Sequence, residues 1–163
     1  MKEILSKLVA GNNLTKEEAM RAQEMILSGK ATQAQIACFL TALRMKGETL
    51  DEITGLAIVL RDKANTISPK VDNYVDFVGT GGDCTYSFNI STTSAFVVAA
   101  AGVPVAKHGN RSISSKSGAG DVLEALGVNI SADPEVVEKC VEEVGIGFMF
   151  APHFNPAMKY VGP

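Results

Sequence analysis

The chain has 163 residues, of which 46% are hydrophobic and 20% are charged, a composition that suits a globular protein with one core and a small second lobe. Its net charge of -3 excludes a broadly basic surface for nucleic acid, although it leaves room for a local anion site. The longest nearly apolar run, Ala95–Ala106, contains Gly102 and Pro104 and is shorter than the ~20 residues of a membrane-spanning helix, so no membrane partner is expected.

Residues 1–65 are predicted to form an all-helical domain. Threonine followed three positions later by Glu or Gln marks a capping box, in which the two side chains satisfy free N–H groups at a helix start. The pairs are Thr15/Glu18, Thr32/Gln35 and Thr49/Glu52. Apolar residues recur at helical spacing behind them, and a further helix is predicted from about Lys2 to Ala10. Nothing in this lobe suggests catalysis, so packing and self-association are its expected roles.

Residues 66–163 are predicted to form an α/β domain. In chain order the predicted elements are a strand at Tyr74–Val78, a helix at Ser91–Ala101, a strand at Val103–Ala106, a helix at Asp121–Leu126, a helix that opens at Asp133-Pro134 and a strand at Ile146–Phe150. Strands that alternate with helices are typical of a parallel sheet. The expected fold class is therefore α/β, with an N-terminal all-helical lobe followed by the first part of a mostly parallel α/β sheet domain.

Two loops, Gly79–Asn89 and His108–Gly118, leave the carboxyl ends of predicted strands. Ligands of parallel sheets bind at that edge, so the loops are expected to meet at one crevice. The first loop begins with the glycine-rich run Gly79–Asp83, and Asn89–Ser94 then opens a helix with hydroxyls on its first turn. Glycines let backbone N–H groups approach a ligand, and a helix N-terminus favours an anion, which together predict a phosphate site. A tight turn before a capped helix explains the same residues equally well.

The second loop, with the preceding Lys107, combines cations with several serines. Its cations are Lys107, Arg111 and Lys116. No acid occurs between Cys84 and Gly120, which predicts a local positive field, and such a field beside hydroxyls suits a ligand with several phosphates. The alternative is a solvated charged face. His108 is either a structural hydrogen-bonding residue or a catalyst, and the first is the more common case.

Several distinctive motifs follow one another along the chain. They are Gly79-Thr80-Gly81-Gly82-Asp83, Asn89-Ile90-Ser91-Thr92, Lys107-His108-Gly109-Asn110-Arg111-Ser112, Ser115-Lys116-Ser117-Gly118 and Asp121-Val122-Leu123-Glu124-Ala125-Leu126-Gly127. In order and spacing these motifs resemble the anthranilate phosphoribosyltransferase family, and the likeness extends over the whole chain. The resemblance implies a transfer reaction of tryptophan biosynthesis. The amine of anthranilate attacks the anomeric carbon of 5-phosphoribosyl 1-diphosphate (PRPP), pyrophosphate leaves, and N-(5-phosphoribosyl)anthranilate forms.

The resemblance also implies which residues bind the substrates. Those expected to contact PRPP are Gly79, Gly82, Asp83, Ser87, Asn89, Ile90, Ser91, Thr92, Lys107, His108, Gly109, Asn110, Arg111, Ser112, Ile113, Ser114, Ser115 and Ala119. Gly79 and Asn110 are expected to face anthranilate, Ser91 to reach a magnesium ion (Mg²⁺), and Lys107 to act electrostatically in catalysis.

The sequence departs from the family pattern in three respects. Ser87 stands where threonine is usual, which keeps the hydroxyl. Ala119 and Gly120 replace the usual serine and alanine, so one expected hydroxyl contact to PRPP is absent. The family's chain continues well beyond Pro163, with an arginine for anthranilate and an acidic pair for Mg²⁺, so this chain alone is expected to be truncated and inactive.

The remaining expectations concern location, assembly and rival functions. The cysteines, Cys38, Cys84 and Cys140, are far apart and lack metal-ligand spacing, which favours a reduced, cytoplasmic setting. The resemblance implies a homodimer through the N-terminal helices. The rival functions are a pyrimidine-nucleoside phosphorylase, which shares this architecture, and a non-catalytic anion-binding relative. The run Lys107–Arg111 favours the transferase over the phosphorylase.

Overall fold

A computed structural model of the chain describes residues 1–79, 88–112 and 117–161. Contacts within the chain divide it into two compact units. The first is Met1–Ala64 together with the residues from Asn155 onward, and the second is Asn65–Phe154. None of the helices among the described residues is long and apolar enough to cross a lipid bilayer.

The first unit is helical, as the sequence predicts. Its helices are α1 (Lys2–Val9), α2 (Lys16–Leu27), α3 (Gln33–Lys46) and α4 (Leu50–Asp62), followed at the other end of the unit by a 3₁₀ helix at Pro156–Tyr160. The capping boxes at Thr15, Thr32 and Thr49 are all formed, because each threonine accepts a backbone N–H while the Glu or Gln three residues later accepts the threonine N–H. These local signals therefore fix where α2, α3 and α4 begin.

A core of aliphatic side chains and Phe39 holds the helices together. Its largest fully buried members are Leu8, Ile26 and Phe39, and Ala157 and Val161 pack against the same cluster. Residues 155–161 belong to the second domain in the sequence prediction, whereas in the structure they pack against the helices. The reason is apolar burial, since this short segment carries side chains that the helical core covers.

The second unit contains a small parallel sheet with helices. Its elements are α5 (Ile90–Ala100), β1 (Val105–Gly109), α6 (Ala119–Ala125), α7 (Pro134–Lys139), a π-helical turn (Cys140–Val144), β2 (Ile146–Phe150) and α8 (Ala151–Phe154). Strand β1 pairs with β2 in parallel, from Val105 opposite Ile146 to Gly109 opposite Phe150. The expected fold class, a helical region followed by a parallel α/β sheet, is confirmed.

Two strand boundaries differ from the sequence expectation. The predicted strand Tyr74–Val78 is present only as a single bridge, in which Val75 N–H donates to Pro104 and Val75 C=O accepts from Ala106. Strand β1 begins later than expected and continues through Lys107, His108 and Gly109, which the sequence assigned to a loop. Pairing with β2 explains the extension, because the hydrogen-bonded ladder continues as far as Gly109 opposite Phe150.

Candidate phosphate-binding site

The first part of the site is the start of α5. Asn89 caps this helix, and its side-chain Oδ1 accepts the Thr92 N–H at 3.3 Å. The Ser91 hydroxyl lies beside Gly79, since a Cβ placed on that glycine would be 3.9 Å from Ser91 Oγ. The structure thus brings the entry of the glycine-rich loop next to a helix N-terminus, where free N–H groups and the helix dipole favour an anion.

Thr92 has an unusual environment within this helix start. Its side chain is only 2% exposed, and its Oγ1 has no hydrogen-bond partner among the residues that the structure describes. A buried hydroxyl without a partner costs about 1–3 kcal/mol, and such groups are rare in native structures. A ligand that supplies an acceptor or donor to Thr92 would remove that cost.

Lys107 and Asp76 connect the bases of the two loops. Lys107 is 3% exposed, and its Nζ donates a hydrogen bond to the carbonyl of Phe77, two residues before Gly79. The backbone N–H of His108 donates to Asp76 Oδ1 at 3.0 Å. Burial lowers the pKa of Lys107, and the negative charge of Asp76 opposes that shift. The segments that lead into the two predicted loops are therefore bonded to one another.

The second loop turns back towards α6 after β1. Arg111 N–H donates to the Asn110 side chain at 2.8 Å, and Gly120 N–H donates to the Asn110 carbonyl at 3.0 Å. The Arg111 guanidinium forms two hydrogen bonds with Glu124, at 2.7 and 2.8 Å, and one with Asp121 at 3.2 Å. Hydrogen bonds from Arg111 lower the pKa of Glu124. The pKa of Asp121 is also lowered, mainly by hydrogen bonds from the backbone N–H groups of Ser112 and Gly118.

The local positive field that the sequence predicts is weakened in the structure by nearby acids. The acid-free stretch ends at Gly120, and Asp121 follows it immediately. In the structure Arg111 is paired with Asp121 and Glu124, and Asp76 lies close enough to influence Lys107. The charges of Lys107 and Arg111 are thus partly compensated by acids that lie outside the acid-free stretch Cys84–Gly120.

The predicted site residues fall into three groups. Those at the start of α5 are Gly79, Asn89, Ile90, Ser91 and Thr92; those on β1 or at the start of the second loop and α6 are Lys107, His108, Gly109, Asn110, Arg111, Ser112 and Ala119. Gly82, Asp83, Ser87, Ile113, Ser114 and Ser115 lie outside the described residues. No group of three or more His, Cys, Asp or Glu side chains among the described residues could hold a metal ion.

Sequence reasoning missed the contributions of Asp76, Asp121 and Glu124. Asp121 begins the motif Asp121–Gly127, yet its contacts are seen only in the hydrogen bonds it accepts in the structure. One local signal was available for it, because an acid three residues after the helix-capping Gly118 is the position of a capping-box partner. Asp76 has no such local signal, since His108 is far away in sequence.

Comparison with known families decides the classification. Residues 71–163 match the model described as "Glycosyl transferase family, a/b domain", and residues 2–64 match "Glycosyl transferase family, helical bundle domain". The chain belongs to this glycosyl transferase family. The boundary between the two matched regions falls close to the boundary between the helical and α/β parts of the chain.

Curated relatives of this chain are named anthranilate phosphoribosyltransferases. The one from Acetivibrio thermocellus is 61% identical over all of this chain and 48% of its own length, and the one from Moorella thermoacetica is 55% identical over the same shares. The chain therefore spans about half the length of the curated relatives it matches.

Solved structures give the same assignment. The anthranilate phosphoribosyltransferase from Thermus thermophilus is 42% identical with a TM-score of 0.89, over 98% of this chain and 49% of its own. The Saccharomyces cerevisiae enzyme in complex with PRPP and Mg is 27% identical with a TM-score of 0.86, over 98% of this chain and 48% of its own.

Proposed function

We propose that this chain forms the N-terminal half of an anthranilate phosphoribosyltransferase and contributes most of its PRPP pocket. The observation that carries the proposal is the start of α5, where the buried Thr92 hydroxyl has no partner among the described residues and Ser91 lies beside Gly79. PRPP carries phosphate oxygens that can accept from such hydroxyls and from the free N–H groups of the helix start. The named relatives and the yeast complex with PRPP and Mg support the choice of substrate.

The chemistry of the transfer fits a site without a strong base. As the bond between the anomeric carbon and pyrophosphate breaks, positive charge develops on the sugar and negative charge on the leaving group. The anthranilate nitrogen forms the new bond to carbon and then loses a proton. Catalysis depends on holding the leaving group with donors and on placing the amine close by, because an aromatic amine is already a neutral nucleophile. Lys107, near the junction of the two loops, would act through its charge, and Gly79 and Asn110 would face anthranilate.

The described residues fit Mg²⁺ only as an ion bound largely through the substrate. Magnesium in phosphate-transferring sites is commonly held by one or two carboxylates together with substrate phosphates and water. Ser91 supplies a hydroxyl beside Gly79, and no acidic cluster among the described residues accompanies it. Ser91 would thus be one ligand, and when bound the ion would neutralise charge on pyrophosphate.

The helical unit supports the expected homodimer. A groove of about 520 Å³ runs between α1 and α3, and the residues that line it are Leu8, Val9, Gly11, Ala37, Cys38, Thr41, Ala42, Met45 and Lys46. Val9 is 69% exposed and Met45 is 83% exposed, although both are apolar. We propose residues 1–65 as the dimerisation domain and residues 66–163 as the partial PRPP-binding domain, with residues 155–161 packed against the helical core; the boundaries of the two family models support this division of the sequence. A cytoplasmic location agrees with the free Cys38 and Cys140.

Binding rather than turnover is the appropriate test, because the chain spans about half the length of its relatives. PRPP with Mg²⁺ is titrated calorimetrically into the folded chain, with phosphate and thymidine as controls. We expect saturable binding of PRPP alone. Binding of thymidine would favour a nucleoside phosphorylase, and binding of phosphate without preference for PRPP would favour a non-catalytic anion-binding protein. A folded chain that binds none of them would contradict the proposal.

A Thr92→Val variant tests the observation on which the proposal depends. Removing a hydroxyl that has no partner should leave unfolding stability equal or raise it by about 1 kcal/mol. The same change should weaken PRPP binding about tenfold or more, since a hydrogen bond to a charged group contributes about 1.5–3 kcal/mol. Thr93→Val is the matched control, because Thr93 is exposed and its hydroxyl donates to Asn89 C=O within the helix. A Thr92→Val chain that loses stability but keeps its PRPP affinity would show that the hydroxyl is structural.

A further inference from the structure

One carboxylate joins the two described ends of the second loop. Asp121 Oδ2 accepts the backbone N–H of Ser112 at 2.9 Å and that of Gly118 at 2.8 Å. The backbone at Gly118 approaches the start of the loop so closely that a Cβ there would be 2.3 Å from Ser112 N and 2.8 Å from the Asn110 carbonyl oxygen. Only glycine fits this approach without moving the backbone, so the closure depends on Gly118 as well as on Asp121.

The neighbouring side chains support the same closure. Arg111, the residue before Ser112, bonds to the other oxygen of Asp121 and, through two donors, to Glu124. Its guanidinium lies 5.8 Å from the centre of the Phe150 ring, at the end of β2. Arg111 is therefore held against α6 and the sheet by contacts of its own, and a bidentate pair of this kind fixes geometry as well as charge.

The charge of Asp121 makes a positioning role testable. A carboxylate beside a phosphate-binding loop should repel phosphate, so simple electrostatics predicts that its removal strengthens PRPP binding. If the carboxylate instead holds the loop in its binding geometry, its removal should weaken binding. The two effects have opposite signs, and only the second depends on the hydrogen bonds to Ser112 and Gly118.

We propose that Asp121 is a positioning residue for PRPP, which holds the backbone of Ser112 and that of Gly118 at the start of α6 by accepting both of their N–H groups. This inference rests on the proposed function, because PRPP is the ligand that the loop would hold. It goes beyond that proposal by assigning a role to an acid that is not among the expected PRPP contacts.

The test compares Asp121→Ala with Asp121→Asn in the same chain. The asparagine keeps a side-chain oxygen for the two N–H groups but removes the charge, whereas alanine removes both. We expect Asp121→Ala to weaken PRPP binding about tenfold and Asp121→Asn to restore it to within about threefold of the wild type. Glu138→Ala is the matched control, since Glu138 in the same unit also accepts a backbone N–H, that of Ser68 at 2.6 Å. It should bind PRPP as the wild type does.

Amide hydrogen exchange provides a readout that does not need PRPP. The Ser112 and Gly118 amides should exchange slowly in the wild type and in Asp121→Asn, and rapidly in Asp121→Ala, while circular dichroism confirms that each chain is folded. The inference is overturned if Asp121→Ala binds PRPP as well as or better than the wild type, if Asp121→Asn is as weak as alanine, or if the two amides exchange rapidly in the wild type. Failure of the folded wild type to bind PRPP would instead overturn the proposed function itself.

Discussion

The buried Glu52 offers the sharpest test of how the helical unit is stabilised. Its side chain is 0% exposed and accepts the N–H groups of Leu14 and Thr49, both at 2.8 Å. The ammonium of Lys46, itself almost buried, lies 2.9 Å from the second carboxylate oxygen. One carboxylate thus connects the loop before α2, the end of α3 and the start of α4, and we choose Glu52→Gln to remove its charge with little change in volume.

The expected loss of stability follows from the pKa of this group. Burial alone would raise the pKa of Glu52, but hydrogen bonds from Leu14, Thr49 and Lys46 outweigh burial and lower it from 4.5 to about 2. A difference of this size corresponds to about 3 kcal/mol of unfolding free energy at neutral pH. Breaking one side of a buried ion pair costs a similar ~3–5 kcal/mol. Because the folded-state pKa is the lower one, this stabilisation is complete above about pH 4.5 and disappears as the pH falls towards 2.

Urea unfolding followed by circular dichroism at 222 nm measures the difference between wild type and Glu52→Gln. We expect about 3 kcal/mol at pH 7 and a difference that shrinks steadily below pH 4.5, since protonated Glu52 resembles glutamine. Glu48→Gln, a change at an exposed acid just before the start of α4, should alter stability by less than about 0.5 kcal/mol. A Glu52→Gln chain as stable as the control at pH 7, or a difference independent of pH, would refute the reasoning.

Two further predictions concern the site and the helical face. Asp76→Asn should lower the pKa of Lys107 further, because burial already lowers it and the Asp76 charge opposes that effect. PRPP affinity measured from pH 7 to 10 should then decline at a lower pH than in the wild type. Asp72→Asn, a change at an exposed acid four residues earlier in the chain, should leave the profile unchanged. Met45→Glu places a charge in the apolar groove between α1 and α3, so sedimentation velocity should show a monomer where the wild type is a dimer; a wild-type monomer, or a variant that still dimerises, would count against that interface.

The sequence predicted the helical unit well because its signals are local. Each capping box lies within four consecutive residues, so Thr15, Thr32 and Thr49 identify the helix starts without knowledge of the tertiary fold. The boundaries of β1 depend instead on β2, whose residues follow some forty positions later, and no local pattern records how far that ladder extends. The same reason explains why the predicted strand at Tyr74–Val78 is reduced to a bridge at Val75.

The site shows a similar limit for charge. The segments that lead into the two predicted loops are bonded to one another, since Asp76 accepts the His108 N–H and the Phe77 carbonyl accepts from Lys107 Nζ. A count of charges along the chain could not show that Arg111 would turn towards α6. That contact requires the strand and helix to pack first, after which Glu124, thirteen positions away, becomes its partner.

These contacts change which groups can attract the substrate. Two cations of the second-loop region, Lys107 and Arg111, already have partners in the structure. Lys107 donates to the Phe77 carbonyl near Asp76, and Arg111 is bonded to Glu124. Among the described residues, the donors left to attract a polyanion are then chiefly the N–H groups and hydroxyls at the start of α5, which the proposed magnesium ion would assist. Since these donors are short and fixed to the backbone, their effect depends on how accurately the loops are held. Asp76 and Asp121 would weaken binding if charge alone mattered, but both accept backbone N–H groups of the site, and we propose that they stabilise its geometry.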